Sequence, residues 1–544
     1  MTTVADEVGR TLAELGADHV FGVVGSGNFH VTNALVAGGV RFVPTRHEAG
    51  AATAADAYAR VSGRAALVSV HQGCGLTNAM TGIAEAAKSR TPMVVLAAEP
   101  AATALRSNFR VDQDALARAV GAESDRVHGP ETAVADTTRA WQKAVDERRT
   151  VLLNLPLDVQ AAPAAPRKIR PKPVSWPPQA NDEAVAAVAA LLSRSHRPVF
   201  IAGRGATNAR AELEELADEC GALLATSAVA KGLFEGNPFN LDVSGGFATP
   251  LAAELIAGAD LVIAWGASLN MWTTRHGTLV SPTATVVQVD LDPDALGAHH
   301  RADLGVVGDV ALSAVAVRHA LPAPGAGYRT EALRERIGRE GRWRLIPYAE
   351  DGDATHIDPR TATIVLDDVL PADRVLAIDS GNFMGYPSMF LSVPDQRGFC
   401  FTQAFQSIGL GLASAIGAAL AAPGRLPVAA CGDGGFLMSI AELDTVKRLG
   451  LGMLILVYND DAYGAEVHHF GPGGHPLDTV RFPDTDLAAI ARGHGCAAIT
   501  VRREQDLAPV AQWLAGPRDV PMVVDLKITS ERPSWWLEEA FKGH

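Results

Sequence analysis

The chain has 544 residues, 48% of them apolar, and a formal net charge of −14. That length exceeds what one hydrophobic core serves and points to about three domains. The acidic balance excludes a general nucleic-acid binder and a protein drawn to anionic membrane surfaces. Five scattered cysteines (Cys74, Cys220, Cys400, Cys431, Cys496) form no CxxC pair and fit a reducing compartment. No run of about 18 apolar residues is free of polar interruption or of abundant Gly and Ala; the nearest, Ile408 to Ala422, is Gly/Ala-rich and reads as a buried helix. The first residues, MTTVADEVGRTLAEL, carry early acidic groups and no hydrophobic signal core, so a cytoplasmic protein without a membrane span is expected.

Taken in order, residues 1–160 alternate helices and strands. Val4 to Leu15 has helical periodicity, and His19 to Val24 is a strand that ends in Gly25-Ser26-Gly27. Arg41 to Pro44 is a short strand before an alanine-rich helix, His47 to Arg60. Ala65 to Val70 is a further strand, ending at His71-Gln72-Gly73-Cys74-Gly75, and Met93 to Ala97 another. Such alternation points to a parallel sheet. Residues 161–180 carry the run APAAPRKIRPKPVSWPP, poor in backbone donors, and are expected to form an extended linker.

Residues 181–345 repeat the pattern, with strands at Pro198 to Ala202, Leu261 to Trp265 and Thr285 to Asp290. The first runs into Gly203-Arg204-Gly205, which is not a full dinucleotide fingerprint, so the sequence leaves nucleotide binding and a scaffold role both open here. Arg329 to Arg344 reads as a charged helical connector.

Residues 346–530 hold the most informative stretch. A strand, Arg374 to Ile378, ends at Asp379-Ser380-Gly381-Asn382. Val428 to Cys431 is an apolar strand that breaks at Gly432-Asp433-Gly434-Gly435, after which Ile440, Leu443, Val446 and Leu449 recur at helical spacing. A second apolar run, Met453 to Tyr458, ends at Asn459-Asp460-Asp461. This is a βαβ unit with acidic side chains at the carboxyl ends of both strands, where open α/β sheets bind ligands. Glycines let backbone N–H groups approach an anion, and a helix start adds its positive dipole end. Asp433 and Asp460 can hold a hard divalent cation between them, and magnesium favours one or two carboxylates plus phosphate oxygens. A GDG turn alone is more often only a turn; GDG followed by Asn459-Asp460 and Tyr463-Gly464 is far more specific. In the tail, residues 531–544, the pair Trp535-Trp536 is read as a helical flap that docks on the body or covers a pocket.

The spacing of about 27 residues from Asp433 to Asp460 resembles the thiamine-diphosphate motif, GDG followed by an Asn-Asn pair, with Asp460 standing where the second Asn is usual. FGVVGSGN (Phe21 to Asn28), RHEAGAATAADAYAR (Arg46 to Arg60) and HQGCGLTNAM (His71 to Met80) extend the likeness over nearly the whole chain. It resembles the superfamily of thiamine-diphosphate enzymes that includes pyruvate oxidase, acetolactate synthase and benzoylformate decarboxylase. The resemblance implies an α/β fold of three doubly wound parallel-sheet domains: pyrimidine-binding, central and diphosphate-binding. It implies thiamine diphosphate with Mg2+ or another divalent cation, the metal held by Asp433, Asp460 and the backbone carbonyl of Ala462. Gly381, Asn382, Gly432, Gly434, Gly435, Tyr463 and Gly464 would surround the cofactor, and Ile408 would keep it bent. Glu48, in the RHE position, would hydrogen-bond the pyrimidine ring as a carboxyl able to donate a proton. FAD or an adenine nucleotide in the central domain is left open.

Ser26 and His71 fall where benzoylformate decarboxylase places its active-site serine and histidine. His276 is a candidate second histidine; His468 and His469 follow the motif, and Arg110 and Gln113 are weak candidates for the pocket. The implied activity is cleavage or formation of a C–C bond next to a carbonyl. Foremost is decarboxylation of a 2-oxo acid with possible carboligation; acetolactate synthase-like carboligation and 2-hydroxyacyl-CoA lysis are the alternatives. A small 2-oxo acid or acyl substrate and a homodimer or homotetramer are expected. A catalytically silent relative would lack Glu48, the GDG turn or Ile408, and all are present.

Overall fold

Strands buried on both faces are written as near-continuous apolar runs, and most of the eighteen strands among the described residues, arranged in three parallel sheets, are of this kind. The computed structural model describes residues 2–164, 176–325 and 327–537, so residues 165–175 of the expected linker and 538–544 of the tail lie outside the described residues. The first sheet contains β1 (His19–Gly22), β2 (Arg41–Pro44), β3 (Ala66–Val70), β4 (Met93–Glu99), β5 (Glu123–Arg126) and β6 (Thr150–Pro156). The second contains β7 (Pro198–Ala202), β8 (Leu223–Thr226), β9 (Asn240–Val243), β10 (Leu261–Trp265), β11 (Thr285–Asp290) and β12 (Leu304–Val307). The third contains β13 (Arg374–Ile378), β14 (Phe399–Phe401), β15 (Leu426–Gly432), β16 (Leu454–Asn459), β17 (Ala497–Val501) and β18 (Met522–Lys527). No helix among the described residues is long and apolar enough to cross a membrane.

The orders are β2-β1-β3-β4-β6-β5, β12-β11-β10-β7-β8-β9 and β14-β13-β15-β16-β18-β17. The first and third sheets therefore share one topology although their sequences show no repeat. In each sheet the order reverses between two neighbouring strands, β1 and β3, β7 and β10, β13 and β15, which opens a crevice beyond their carboxyl ends.

The outer two domains share a core. The helix Glu48–Ser62 lies against the helix Gly411–Ala421, and Ala51, Ala54 and Ala55 from one are buried with Leu412, Ala415 and Ile416 from the other. A side chain at Gly417 would strike the Ala54 carbonyl, so small residues set this close approach. Two expected helices are shorter than their periodicity. The stretch through Leu449 divides into Asp433–Ser439 and Glu442–Arg448. The helix expected from Ile408 starts only at Gly411, because the buried Asp379 carboxylate accepts the N–H groups of Gly409 and Leu410 and holds them in a turn.

A buried ion cluster ties the three domains. Arg60 pairs with Asp56 and Glu85 and donates to the Phe401 carbonyl, while Glu85 also accepts the N–H groups of Ala404 (3.0 Å) and Phe405 (2.6 Å). Arg204 of the second domain donates to the Ser89 carbonyl beside them. Removing one member of such a cluster strands a buried charge. Glu85→Ala is expected to destabilise the fold by about 3–5 kcal/mol in denaturant unfolding; a loss below about 1 kcal/mol would show that Arg60 does not depend on it.

Candidate active site

At the reversal point of the third sheet, β15 delivers Asp433 to the first position of the helix Asp433–Ser439, and neighbouring β16 delivers Asp460. Burial pushes the Asp433 carboxyl up to about 6. Burial and then the charge of Asp433 push Asp460 up to about 8. Lys527 lies nearby but is engaged by Asp461 and Asp484. Two enclosed carboxylates without a cation of their own form a donor set for a hard divalent ion. Among the described residues no group of three His, Cys, Asp or Glu side chains is arranged for a metal, so any further ligands would be backbone, side-chain amide, water or ligand oxygens.

The walls explain the glycines. A side chain at Gly434 would meet the Tyr463 ring at 2.7 Å, and one at Gly435 would run into the Asp379 carboxylate. Gly464 leaves room for the Asp460 carboxylate and the Asn382 amide. Gly381, Asn382, Ile408, Gly432, Gly434, Gly435, Ala462, Tyr463 and Gly464 all border one cavity with Asp433 and Asp460. Its volume is about 1670 Å³, and it runs on to the reversal point of the second sheet, past Gly203, Arg204 and Gly205. There Gly205 N–H donates to the Gly266 carbonyl (3.1 Å), so the glycine pair serves close loop packing. His276 borders this far end; His468 and His469 do not border the cavity, although Glu466 on the same helix does.

Glu48, Ser26 and His71 form a second group at the carboxyl edge of the first sheet, outside that cavity. Glu48 begins its helix, is buried, and accepts the Asn78 amide at 3.0 Å. Gly75 separates Glu48 from His71: a side chain there would lie 3.3 Å from the Glu48 carboxylate and 3.1 Å from the His71 Cβ. His71 Nδ1 accepts the Gly27 N–H at 3.1 Å, which places the proton of the neutral ring on Nε2. Burial lowers the ring's basicity, and Phe109 packs edge-on against it at 5.1 Å. Ser26 is exposed on the turn whose glycines wrap His71, and Asn28 shapes that turn by accepting the Gly25 N–H at 2.8 Å.

Gln113 faces inward: fully buried, it donates to Asn154 (2.7 Å) and accepts from Gly73 N–H (3.4 Å), so it braces the His71 loop. Arg110 is exposed beside Phe109. Sequence reasoning missed three supports: Asp379, Glu85, and Asn78 on Glu48. Asp379 alone had a local signal, as an acidic residue at a strand end. In the tail, Trp536 is fully buried and Leu537 borders the cavity, so the pair docks on the body and its end reaches the pocket.

Three matches to known proteins fit this geometry. Residues 2–119 match the N-terminal TPP binding domain of thiamine pyrophosphate enzymes, residues 185–317 their central domain, and residues 379–526 their C-terminal TPP binding domain. The chain is 31% identical to a probable 2-ketoarginine decarboxylase of Pseudomonas aeruginosa, over 93% of this chain and 90% of that one. It is 30% identical to the acetolactate synthase large subunit of Parasynechococcus marenigrum, over 94% and 85%. It is 27% identical to the sulfoacetaldehyde acetyltransferase of Castellaniella defragrans, over 92% and 88%.

Because Asp433 and Asp460 repel each other, Asp460→Asn should stabilise the metal-free protein by about 1–2 kcal/mol in thermal unfolding with a chelator present. A loss of stability would contradict the reading that enclosing the Asp460 carboxyl beside Asp433 costs the fold stability.

Proposed function

The chain belongs to the thiamine pyrophosphate enzyme family, and on that premise we propose that it decarboxylates a 2-oxo acid, with carboligation to a second carbonyl as a possible second outcome. When bound, thiamine diphosphate supplies a nucleophilic carbon and an electron sink for breaking a bond beside a carbonyl. The chain's residues then have separate tasks. Asp433, Asp460 and the Ala462 carbonyl would hold the divalent cation, and the N–H groups of the Gly432–Gly435 turn would receive the diphosphate. Ile408, fixed by Asp379 and Glu85 on either side of its loop, would force the bent shape that brings reacting atoms together. Glu48, oriented by Asn78, would hold a proton toward the pyrimidine ring.

The observation that carries the decarboxylase reading is the geometry of His71. The Gly27 hydrogen bond leaves Nε2–H as the donor of a ring that the Glu48 charge reaches, able to bind a substrate carboxylate or to deliver the proton that releases an aldehyde. The decarboxylase among the relatives supports it.

Glu48 lies outside the cavity that holds Asp433, and this supports a homodimer or homotetramer in which one copy brings Glu48, Ser26 and His71 to another copy's Asp433 and Asp460. Apolar side chains around each half fit such pairing: Val24, Phe29, Leu105 and Phe109 are exposed near the first, Leu437 and Met438 near the second. The five cysteines, all free, fit a cytoplasmic location.

The far end of the cavity favours one other substrate class. Lys88, Arg148 and Arg149 border it, among carboxylates that include Asp290, Asp292 and Asp294, and could meet the phosphates of an acyl thioester, as in a 2-hydroxyacyl-CoA lyase.

Glu48→Gln should lower turnover by roughly 10²–10⁴-fold while leaving cofactor bound; full turnover would remove its assigned role. A screen of pyruvate, branched, aryl and cationic 2-oxo acids against acyl-CoA substrates should give aldehyde from a 2-oxo acid. Turnover of the thioesters alone would overturn the decarboxylase reading.

A further inference from the structure

The Gly381-Asn382 turn at the cavity wall is held largely from outside its own sheet. The Asn382 carbonyl accepts two hydrogen bonds, from Trp536 Nε1–H at 3.0 Å and from the Ser534 hydroxyl at 3.2 Å. Both donors belong to the C-terminal segment, about 150 residues further along the chain. Gly381 sits at φ +139, a conformation that only glycine adopts readily, so the turn needs an external hold to keep its shape. The Asn382 side chain is buried beside Gly464 and the Asp460 carboxylate, and its Oδ1 has no hydrogen-bond partner. A buried amide oxygen left unpaired at a cavity wall is poised for a ligand: a water of a hydrated cation or, with the amide turned over, a diphosphate oxygen.

The segment that supplies the donors is itself pinned to a different domain. Trp536 packs edge-on against Tyr386 at 5.1 Å and against Phe247 of the second domain at 6.5 Å. Trp535 donates to the Gly246 carbonyl at 3.2 Å and lies 4.8 Å from the Trp343 ring. A buried indole N–H needs some acceptor. Here the indole and a neighbouring hydroxyl converge on the same carbonyl of a cavity residue, which simple core packing does not require.

We infer that Ser534 and Trp536 are positioning residues for the cofactor: they lock the Gly381-Asn382 turn so that the Asn382 amide is preset toward the cation–diphosphate group. The inference rests on the reading that this cavity takes thiamine diphosphate. Presetting an amide removes an ordering cost from binding and leaves the chemical step alone.

The test titrates thiamine diphosphate with excess Mg2+ into the apoprotein by calorimetry, comparing full-length variants. Trp536→Phe with Ser534→Ala keeps an aromatic ring in the core and removes both donors, with the loss of some ring volume beside Gly385; the Trp535→Phe control gives up a like ring volume. It should bind cofactor roughly tenfold more weakly, with turnover at saturating cofactor within about twofold of the unaltered protein. Ser534→Ala alone should show a smaller loss, about threefold. Trp535→Phe, which breaks the Gly246 contact and not the Asn382 one, should leave affinity unchanged. Affinity within twofold for the double variant, an equal loss in Trp535→Phe, or a fall in turnover at saturating cofactor would each overturn the inference. Asp433→Ala separates the two claims, since it should abolish uptake. If the unaltered protein takes up no cofactor, the cofactor reading fails and the inference with it; uptake by the unaltered protein with no loss in the double variant overturns the positioning role alone.

Discussion

Two carboxylates on adjacent strand ends, walled in by apolar strands and glycine turns, repel each other and lack a cation of their own. Asp433 and Asp460 are in that position because β15 and β16 are parallel neighbours that finish at the same edge of the sheet. Much of the surrounding sequence answers to that constraint. Gly434, Gly435 and Gly464 lack side chains because Tyr463, Asp379 and Asp460 need the space. Lys527, a buried cation whose charge reaches Asp433, is engaged by Asp461 and Asp484. Enclosed carboxylates of this kind would favour a divalent cation between them, which is how the fold would store binding energy for the proposed metal-bridged anion.

The rest of the molecule concerns where things stand relative to that pair. The outer domains repeat one strand order and bury their helices against each other through alanine and glycine, giving a rigid common core. The buried Arg60–Glu85 cluster carries this rigidity into the loop before Ile408, and Asp379 holds the loop's other end. The second domain contributes through the tail, whose two tryptophans bridge Gly246 and Asn382. Glu48 and His71 are braced with the same care, by Asn78, Gly75 and Gly27, yet they lie outside the cavity of Asp433. Two well-built halves that do not meet within one chain are the physical basis for proposing a shared site.

The α/β class and the family were legible because parallel strands and glycine turns are local signals: an apolar run, a break at Gly432, a second run ending at Asn459. Long-range effects were not legible. The helix that periodicity begins at Ile408 loses its first residues to Asp379, some 30 positions earlier. The polar strand Glu123–Arg126 carries no apolar run, because it is an edge strand of its sheet. Glu85 carries no local signal in the sequence and is fully buried, accepting N–H groups from a domain far away in sequence. Gln113, a candidate for the pocket, turns inward to hold Gly73. A motif thus marked the ends of strands, while the side chains that orient those ends come from contacts that only the folded chain defines.

The account's central claim, that Glu48 of one copy serves Asp433 of another, is tested most directly by subunit mixing. Glu48→Gln and Asp433→Ala proteins, each inactive alone, are unfolded together or co-expressed so that copies exchange. If the site is shared, hybrid dimers contain one site with both native residues, and about a quarter of the unaltered protein's activity returns on random pairing. If both halves serve the same chain, no hybrid holds an intact site, and the absence of recovered activity in verified hybrids would contradict the account.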